Sequence, residues 1–347
     1  SVLPQVEIVD MRKELAERNF SVLSRRLQQA LVTTAAAGEQ AIVLLNRRGY
    51  STFVMCRDCG QTITCPHCAV AMVYHSANSD LRCHYCGNTA PIPTECPSCH
   101  SRRIKFFGTG TQKAEEQLET LPEVRVLRMD QDSTVAKFAH ADILRRFAGG
   151  AANVLIGTQM VAKGHDIPNV TLVGVLAADS TLHLPDYRAS ERAFSLLTQA
   201  AGRAGRGDRP GHVIFQTYDP DNPILQLAVT QDYDTFAKRE LQERKNYFYP
   251  PFAQMLKLQV VDKDEGAGLA LAQQVVFYLQ SLKLQGKLED LLIAGPFPSL
   301  VAKAYDLYRF NVLLKARDLK ETKEALLNSE FKEKPNLYFN VDPVSVI

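Results

Sequence analysis

The sequence predicts an α/β fold: a mostly parallel sheet covered by helices, interrupted by a small cysteine-rich module and followed by a compact α+β domain. Three observations carry this. AIVLLN (41–46) is apolar on both faces, as a buried parallel strand must be, and a helical pattern at 24–32 precedes it. Strands and helices alternate again beyond residue 104. Between the two stretches lie all eight cysteines, confined to 56–99 and arranged as four C-x-x-C pairs.

The elements follow in order. After the cysteines, 105–107 reads as a short strand, 111–120 as a helix, 124–129 as a strand and 142–147 as part of a helix. Strands at 153–156 and 170–176, a helix at 191–201 and a strand at 212–216 complete the sheet. Composition changes at DPDNP (219–223), a linker leading into a helical stretch at 223–245 and a break at YPPF (249–252). The remainder reads strand, helix, strand, strand, helix, strand at 253–261, 269–282, 291–295, 309–315, 318–329 and 337–341. Expected boundaries are 1–50 with 101–218 for the sheet domain, 51–100 for the insert, 219–252 for the linker and 253–347 for the last domain.

The length, 347 residues with 46% apolar composition, suits two or three cores. The formal charge of +2 excludes a broad basic field, so a nucleic-acid surface would have to be local. No apolar run approaches a membrane span and no signal peptide opens the chain, which reads as soluble and cytoplasmic, with no membrane partner. It starts at Ser1, as a fragment would.

The pairs are Cys56/Cys59, Cys65/Cys68, Cys83/Cys86 and Cys96/Cys99. A two-residue spacer lets both sulfurs of a pair point at one tetrahedral metal, and Gly60 and Gly87 follow where such a knuckle needs a residue tolerant of positive φ. A disulfide framework is the competing reading, disfavoured by the pairing pattern and a cytosolic setting. Three ways of combining the pairs are open. The 14 residues between Cys68 and Cys83 suit a hairpin, with 69–74 strand-like, whereas the five between Cys59 and Cys65 are tight for a reversal. This favours a nested arrangement, with Cys65, Cys68, Cys83 and Cys86 on an inner zinc and Cys56, Cys59, Cys96 and Cys99 on an outer one. His67, His84 and His100 are then bystanders. Four thiolates leave no position for water, so each zinc is expected to be structural. Arg102, Arg103 and Lys105 could touch phosphate, against the simpler reading of a solvated charged face.

GTGTQK (108–113) does not match the Walker A pattern, and no other segment does. It reads as a tight strand-to-helix turn. VVDKDE (260–265) imitates a strand ending in a magnesium motif but reads as an exposed turn. Three segments are harder to set aside: NRRGY (46–50), GTQMVAKGHD (157–166) and QAAGRAGR (199–206). Glycines admit a ligand close to the backbone, and Arg203 and Arg206, three apart, can direct two planar forks at one anion. Sheets of this type bind ligands beyond the carboxyl ends of their strands. Tyr305, Tyr308, Arg309 and Phe310 mix aromatic and basic groups, a candidate single-strand or partner surface set against ordinary alternation in an edge strand.

With these segments in view, the chain resembles superfamily 2 helicases, 157–166 matching their motif V and 199–206 their motif VI. The eight-cysteine insert, NRRGY, LPDYRASER (184–192) and YPPF make it similar to the PriA family of bacterial replication-restart helicases. The match covers nearly the whole chain and weakens beyond about residue 260. The resemblance implies a RecA-like second helicase lobe, an inserted two-zinc module and a small C-terminal domain. It implies a 3′-to-5′ ATP-dependent DNA translocase that recognises branched DNA at stalled forks and helps reload the replicative helicase. Partners so implied are DNA, single-strand DNA-binding protein and primosome or helicase-loading proteins, with a bacterial, nucleoid-associated location and a monomeric state. By the family's motifs Arg206 is the arginine finger with Arg203 in support; Gly164, Asp166 and Gln199 face the nucleotide; Thr158, Gln159 and Lys163 lie nearer the DNA backbone. The Walker A and magnesium carboxylates of the first lobe are absent from this sequence, so ATP and Mg2+ would be held only with that lobe, and the chain alone is expected to be inactive. The competing class is a non-catalytic zinc module that binds DNA or protein.

Overall fold

A computed structural model describes residues 4–45, 53–75, 79–107, 111–129, 139–158, 167, 169–205 and 210–343. The chain begins with β1 (Gln5–Asp10), α1 (Met11–Ala16), α2 (Arg25–Ala36) and β2 (Gln40–Leu45). An insert then carries β3 (Phe53–Cys56), β4 (Val73–His75), β5 (Asp80–Arg82), β6 (Thr89–Pro91) and β7 (Ile104–Phe107). The first domain resumes with α3 (Thr111–Glu119), β8 (Val126–Met129), α4 (Ala139–Ala148), β9 (Val154–Gly157), β10 (Val170–Leu176), α5 (Ala189–Ala201) and β11 (His212–Thr217).

Six of these strands form one sheet in the order β1-β11-β10-β2-β9-β8, parallel throughout. The inner strands are apolar on both sides because both sides are covered. Ile42 and Leu44 of β2 enter the core under α4 and α5, with Phe147, Phe194 and Phe215. Ala41, Val43 and Leu45 point the other way, to Leu27 and Leu31 of α2 and Leu118 of α3. Ser24 starts α2: its hydroxyl accepts from Leu27 N at 3.1 Å, while its own N–H donates to Gln216 Oε1 at 2.8 Å. Gly174 of β10 lets α2 approach closely, since a Cβ there would stand 2.8 Å from Leu27 Cδ1.

Beyond β11 come α6 (Pro223–Thr230) and α7 (Tyr233–Asn246), then β12 (Gln254–Asp262), α8 (Glu265–Leu284), β13 (Leu292–Ala304), β14 (Leu307–Ala316), α9 (Lys320–Leu327) and β15 (Leu337–Val341). The last four strands make an antiparallel sheet in the order β13-β14-β12-β15. α8 covers one face through Leu271, Val275 and Leu279. The opposite face is closed by the insert, where Met255, Phe297 and Leu313 share a core with Val54, Met72, Leu81 and Tyr85. Among the described residues no helix is long and apolar enough to cross a membrane.

Several expectations need correction. The strand at 104–107 does not rejoin the parallel sheet: it pairs antiparallel with β3, Phe53 opposite Phe107, and extends the insert's sheet past residue 100. β1 was not foreseen; its alternating, half-polar run suits an edge position. The helical stretch at 223–245 is two helices, broken at Gln231 in the left-handed region (φ 54°). The short strand at 291–295 is the start of a 13-residue strand whose register shifts twice against β14.

Replacing Gly174 with Val would drive two methyl groups into Leu27. The variant is expected to lose about 1–3 kcal/mol of stability. A urea midpoint unchanged from the parent would show that α2 yields and that this contact does not set its position.

Candidate metal centres and helicase motifs

The insert is built from four copies of one turn. In each, the N–H four residues on donates to the first cysteine's carbonyl: Gly60 N to Cys56 O, Ala69 N to Cys65 O, Gly87 N to Cys83 O and His100 N to Cys96 O, all at 2.9 Å. The residue at that fourth position takes positive φ every time: 79° at Gly60, 52° at Ala69, 75° at Gly87 and 58° at His100. Glycine is the unstrained choice there, which made two of the turns visible in the sequence and hid the other two. Backbone N–H groups also point at sulfur: Asp58 N to Cys56, Tyr85 N to Cys83 and Ser98 N to Cys96, each at 3.4 Å.

The turns come together as two sets, Cys56, Cys59, Cys96 and Cys99, and Cys65, Cys68, Cys83 and Cys86. Sulfur–sulfur distances are 3.6 Å for Cys56–Cys99, Cys59–Cys96 and Cys65–Cys86. A disulfide requires about 2.05 Å. A tetrahedron with metal–sulfur bonds of 2.3 Å has edges of about 3.8 Å, so each set fits one zinc ion and the pairing is the nested one. The electrostatics also call for a cation. Burial pushes the Cys65 thiol up to about 11 and the Cys59 thiol up to about 12, whereas Cys83, accepting from the Cys68 thiol, falls to about 5. Crowded thiols left to themselves cannot all ionise, and a bound dication removes that obstacle. His67, His84 and His100 belong to neither set. His84 instead faces His75, Nε2 to Nε2 at 3.0 Å.

The two sets have different neighbours. The inner one lies under Tyr249, whose hydroxyl donates to Cys68 O at 3.0 Å and whose ring sits below Lys315 Nζ at 4.1 Å. Tyr187 stacks on Tyr249 with centroids 5.1 Å apart, and Tyr187 N donates to Tyr85 Oη at 3.0 Å. Arg244 lies over Tyr187 and bridges Glu191 at 2.6 Å and Glu240 at 2.7 Å. LPDYRASER is thus a junction between the sheet domain, the insert and the C-terminal domain, a role not legible in its sequence. The outer set adjoins the sheet domain, where a Cβ on Gly60 would stand 2.4 Å from Tyr218 O. Arg102 pairs with Glu95 at 3.0 Å and Arg103 with Asp58 at 2.6 Å, which favours a charged face over a phosphate site.

Of the residues predicted for nucleotide and DNA, Thr158, Gln199 and Arg203 are described; Gln159, Lys163, Gly164, Asp166 and Arg206 lie outside the described residues, as do 46–50 and 108–110. Thr158 follows β9 at the carboxyl edge of the parallel sheet. Gln199 is on α5, its amide donating to Ser195 Oγ at 3.0 Å. α5 runs back along the sheet, so the loop at Arg203 sits at the amino edge: Gly205 N donates to the first residue of β10, Val170 O, at 3.2 Å, and Gly211 fits closely against Ala204. The expectation that ligand loops gather at the carboxyl edge therefore fails for this loop. The insert leaves the sheet after β2, on the same edge as Thr158. In the C-terminal domain Tyr305 is 94% exposed at the hairpin tip, whereas Phe310 is buried under α8.

Sequence reasoning also missed a buried polar seam at the carboxyl edge. Asp179 is 1% exposed, in the turn after β10; its Oδ2 accepts from Tyr218 N at 2.9 Å, and among the described residues its Oδ1 has no partner. Arg57 Nε, Thr62 Oγ1, Ser180 Oγ and His183 Nε2 are likewise buried, with no partner among the described residues. Two of them lie against Tyr218 and Phe53: the Arg57 guanidinium lies 5.6 Å from the Tyr218 ring, and the His183 ring 5.2 Å from that of Phe53.

Burial pushes the Asp179 carboxyl up to about 6, helped by the charge of Asp219. The folded chain thus holds this proton more tightly than the unfolded chain. This contribution is present in full below the ordinary carboxylate value of 3.8 and is lost as pH rises through about 6. Asp179→Asn keeps an acceptor for Tyr218 N without the charge. The variant is expected to gain on the parent by about 2–3 kcal/mol between pH 4 and pH 7.5. Urea midpoints that run parallel for parent and variant over that range would overturn the assignment.

Comparison with known proteins agrees with these parts. Three family models match: the PriA DNA helicase Cys-rich region domain at 65–91, the helicase conserved C-terminal domain at 98–208 and the primosomal protein N C-terminal domain at 245–344. The replication restart protein PriA of Bacillus subtilis is 48% identical over 90% of this chain, and that of Synechocystis 44% over 90%. The chain spans 39% and 38% of the length of these relatives. The C-terminal domain of the DEAD-box protein Dbp5 is a distant structural likeness, 16% identical with a TM-score of 0.30 over 62% of this chain and 88% of that one. With helicase lobe, cysteine-rich module and terminal domain each matched in sequence order, the chain belongs to the PriA family of replication restart proteins.

Proposed function

We propose that this chain is the second helicase lobe, zinc module and C-terminal domain of a 3′-to-5′ ATP-dependent DNA helicase that recognises stalled or branched forks and promotes primosome assembly. The observation that carries the reading is the opposition of Thr158 and Arg203 across one sheet, with the insert on the Thr158 side. A motor needs its nucleotide and its track at separate places on a rigid body, so that a change at one is transmitted to the other. In this reading ATP and Mg2+ sit between Arg203, Arg206, Gln199, Gly164 and Asp166 and a first lobe that carries the Walker motifs. Thr158, Gln159 and Lys163 follow the DNA backbone. The two cysteine sets hold two zinc ions that shape the insert and leave no position for catalysis. Single-strand DNA-binding protein and helicase-loading proteins are the partners, in the bacterial cytoplasm.

Arg206 neutralises charge on the transferring phosphoryl group, a contribution of about 10³–10⁵ in rate in NTPases that use such a finger. In the full-length protein, Arg203→Ala and Arg206→Ala are each expected to abolish DNA-stimulated ATP hydrolysis while leaving fork binding within about twofold of the parent. The 347-residue chain alone is expected to hydrolyse no ATP. Robust DNA-stimulated hydrolysis by this chain would sink the assignment. Unimpaired fork restart by both arginine variants would instead favour a non-catalytic zinc module that binds DNA or protein.

A further inference from the structure

We propose that the outer cysteine set is an exchangeable, oxidation-sensitive metal site, while the inner set holds its metal permanently. This rests on the zinc reading of both sets. Their surroundings differ in kind. Cys65, Cys68 and Cys83 are buried and Cys86 half-buried, enclosed by Tyr85, Tyr249 and Leu313. In the outer set Cys99 is exposed and Cys59 half-buried, and none of its sulfurs belongs to that apolar cluster. Thiolate chemistry follows access, so a small electrophile meets Cys99 first.

The chemical partner is a hydroperoxide. The Cys99 sulfur attacks one peroxide oxygen, the O–O bond breaks, and hydroxide or alkoxide leaves with the electron pair. Cys99 becomes a sulfenic acid. The Cys56 sulfur, 3.6 Å away, then attacks the Cys99 sulfur and expels hydroxide, leaving a disulfide. Two electrons have passed from sulfur to peroxide, and two of the four donors are gone. Cys59 and Cys96, also 3.6 Å apart, can repeat the sequence with a second peroxide.

A second observation says what this does. The outer turn meets the sheet domain at Tyr218, on the seam where Arg57 and Asp179 each carry a buried atom without a partner among the described residues. Opening that seam returns those atoms to water, so it resists separation weakly. The inner turn meets the C-terminal domain through a packed core and the hydrogen bond from Tyr249 to Cys68. Oxidation therefore unhooks the insert from the sheet domain and leaves it attached to the C-terminal domain.

The test treats the 347-residue chain with hydrogen peroxide, follows zinc with a chromogenic chelator and maps disulfides by mass spectrometry. Two zinc equivalents before oxidation are required; fewer would overturn the zinc reading itself. One equivalent is then expected to leave at least about tenfold faster than the other. That fast phase should carry disulfides confined to Cys56, Cys59, Cys96 and Cys99, and faster amide exchange at Tyr218 but not at Tyr249. Two equivalents leaving together, or disulfides first appearing among Cys65, Cys68, Cys83 and Cys86, would overturn the inference and leave the zinc reading intact. In Cys99→Ser the Cys56 thiol should lose its fast oxidation. Should that variant bind one metal only, the loss must be from the outer set; loss from the inner set counts against the inference.

Discussion

The closure of the outer sulfur set is the constraint on which the rest of the structure depends. A parallel sheet tolerates an insertion only when the chain leaves and returns at the same edge. β2 ends at Leu45 and the insert must hand back to α3 at Thr111. The β3–β7 pair, with Phe53 opposite Phe107, brings the two ends side by side, and Cys56 and Cys59 meet Cys96 and Cys99 just beyond it. Nesting is therefore more than one pairing among three. Joining neighbouring pairs would leave the ends of the insert unlinked and let the loop-closure entropy of some forty residues act against the sheet. The strands enclosed are three or four residues long, too short to be stable on their own.

The same shortness explains why the insert is not separable from the C-terminal domain. α8 covers one face of the terminal sheet, and no other helix of the described residues joins the core on the second face. Met255, Phe297 and Leu313 take Val54, Met72 and Leu81 as their covering layer, so two incomplete layers make one core. Tyr249 is placed at the centre of it. Its hydroxyl reaches the inner turn, its ring carries Tyr187 on one side, and Lys315 lies close to a cluster that is anionic once its thiols ionise. Lys315 is itself pushed down by burial, the cost of keeping a cation there.

Much of this was legible in the sequence for physical reasons. Inner strands of a covered parallel sheet are uniformly apolar, and β2 and β10 announced themselves that way. Metal turns have rigid spacing, and a glycine at φ 79° or 75° marks two of them. What stayed hidden depends on contacts remote in sequence. Nothing in IKFF says that it pairs backwards with FVMC, because a four-residue apolar run carries no direction. Ala69 and His100 occupy left-handed turns that local propensity would give to glycine, held there by their N–H bonds to the carbonyls of Cys65 and Cys96. LPDYRASER carries four charged residues, yet its Asp186 is 2% exposed and its Tyr187 part of an aromatic stack, because both meet partners remote in sequence.

The edge reversal of the Arg203 loop joins these points. The rule that places ligands at carboxyl ends describes loops that follow strands, whereas this loop follows the helix α5 and precedes the strand β11. α5 is thus a rigid rod with the Asp186–Arg188 junction at one end and the glycine–arginine loop at the other. Its first turn is tied by Glu191 to Arg244 of α7, and through the Tyr187 stack to the inner cysteine turn. The loop beyond its last turn bonds the start of β10 through Gly205, and the far end of β10 leads into the Asp179 seam under the outer turn. Each metal turn therefore touches one end of an element whose other end carries, or packs against, the arginine loop. Two packed routes lead from that loop across the described domain to the cysteine module. That connectivity ties the module to α5 and β10 as well as to the C-terminal domain, which is more than stapling a segment with little core of its own.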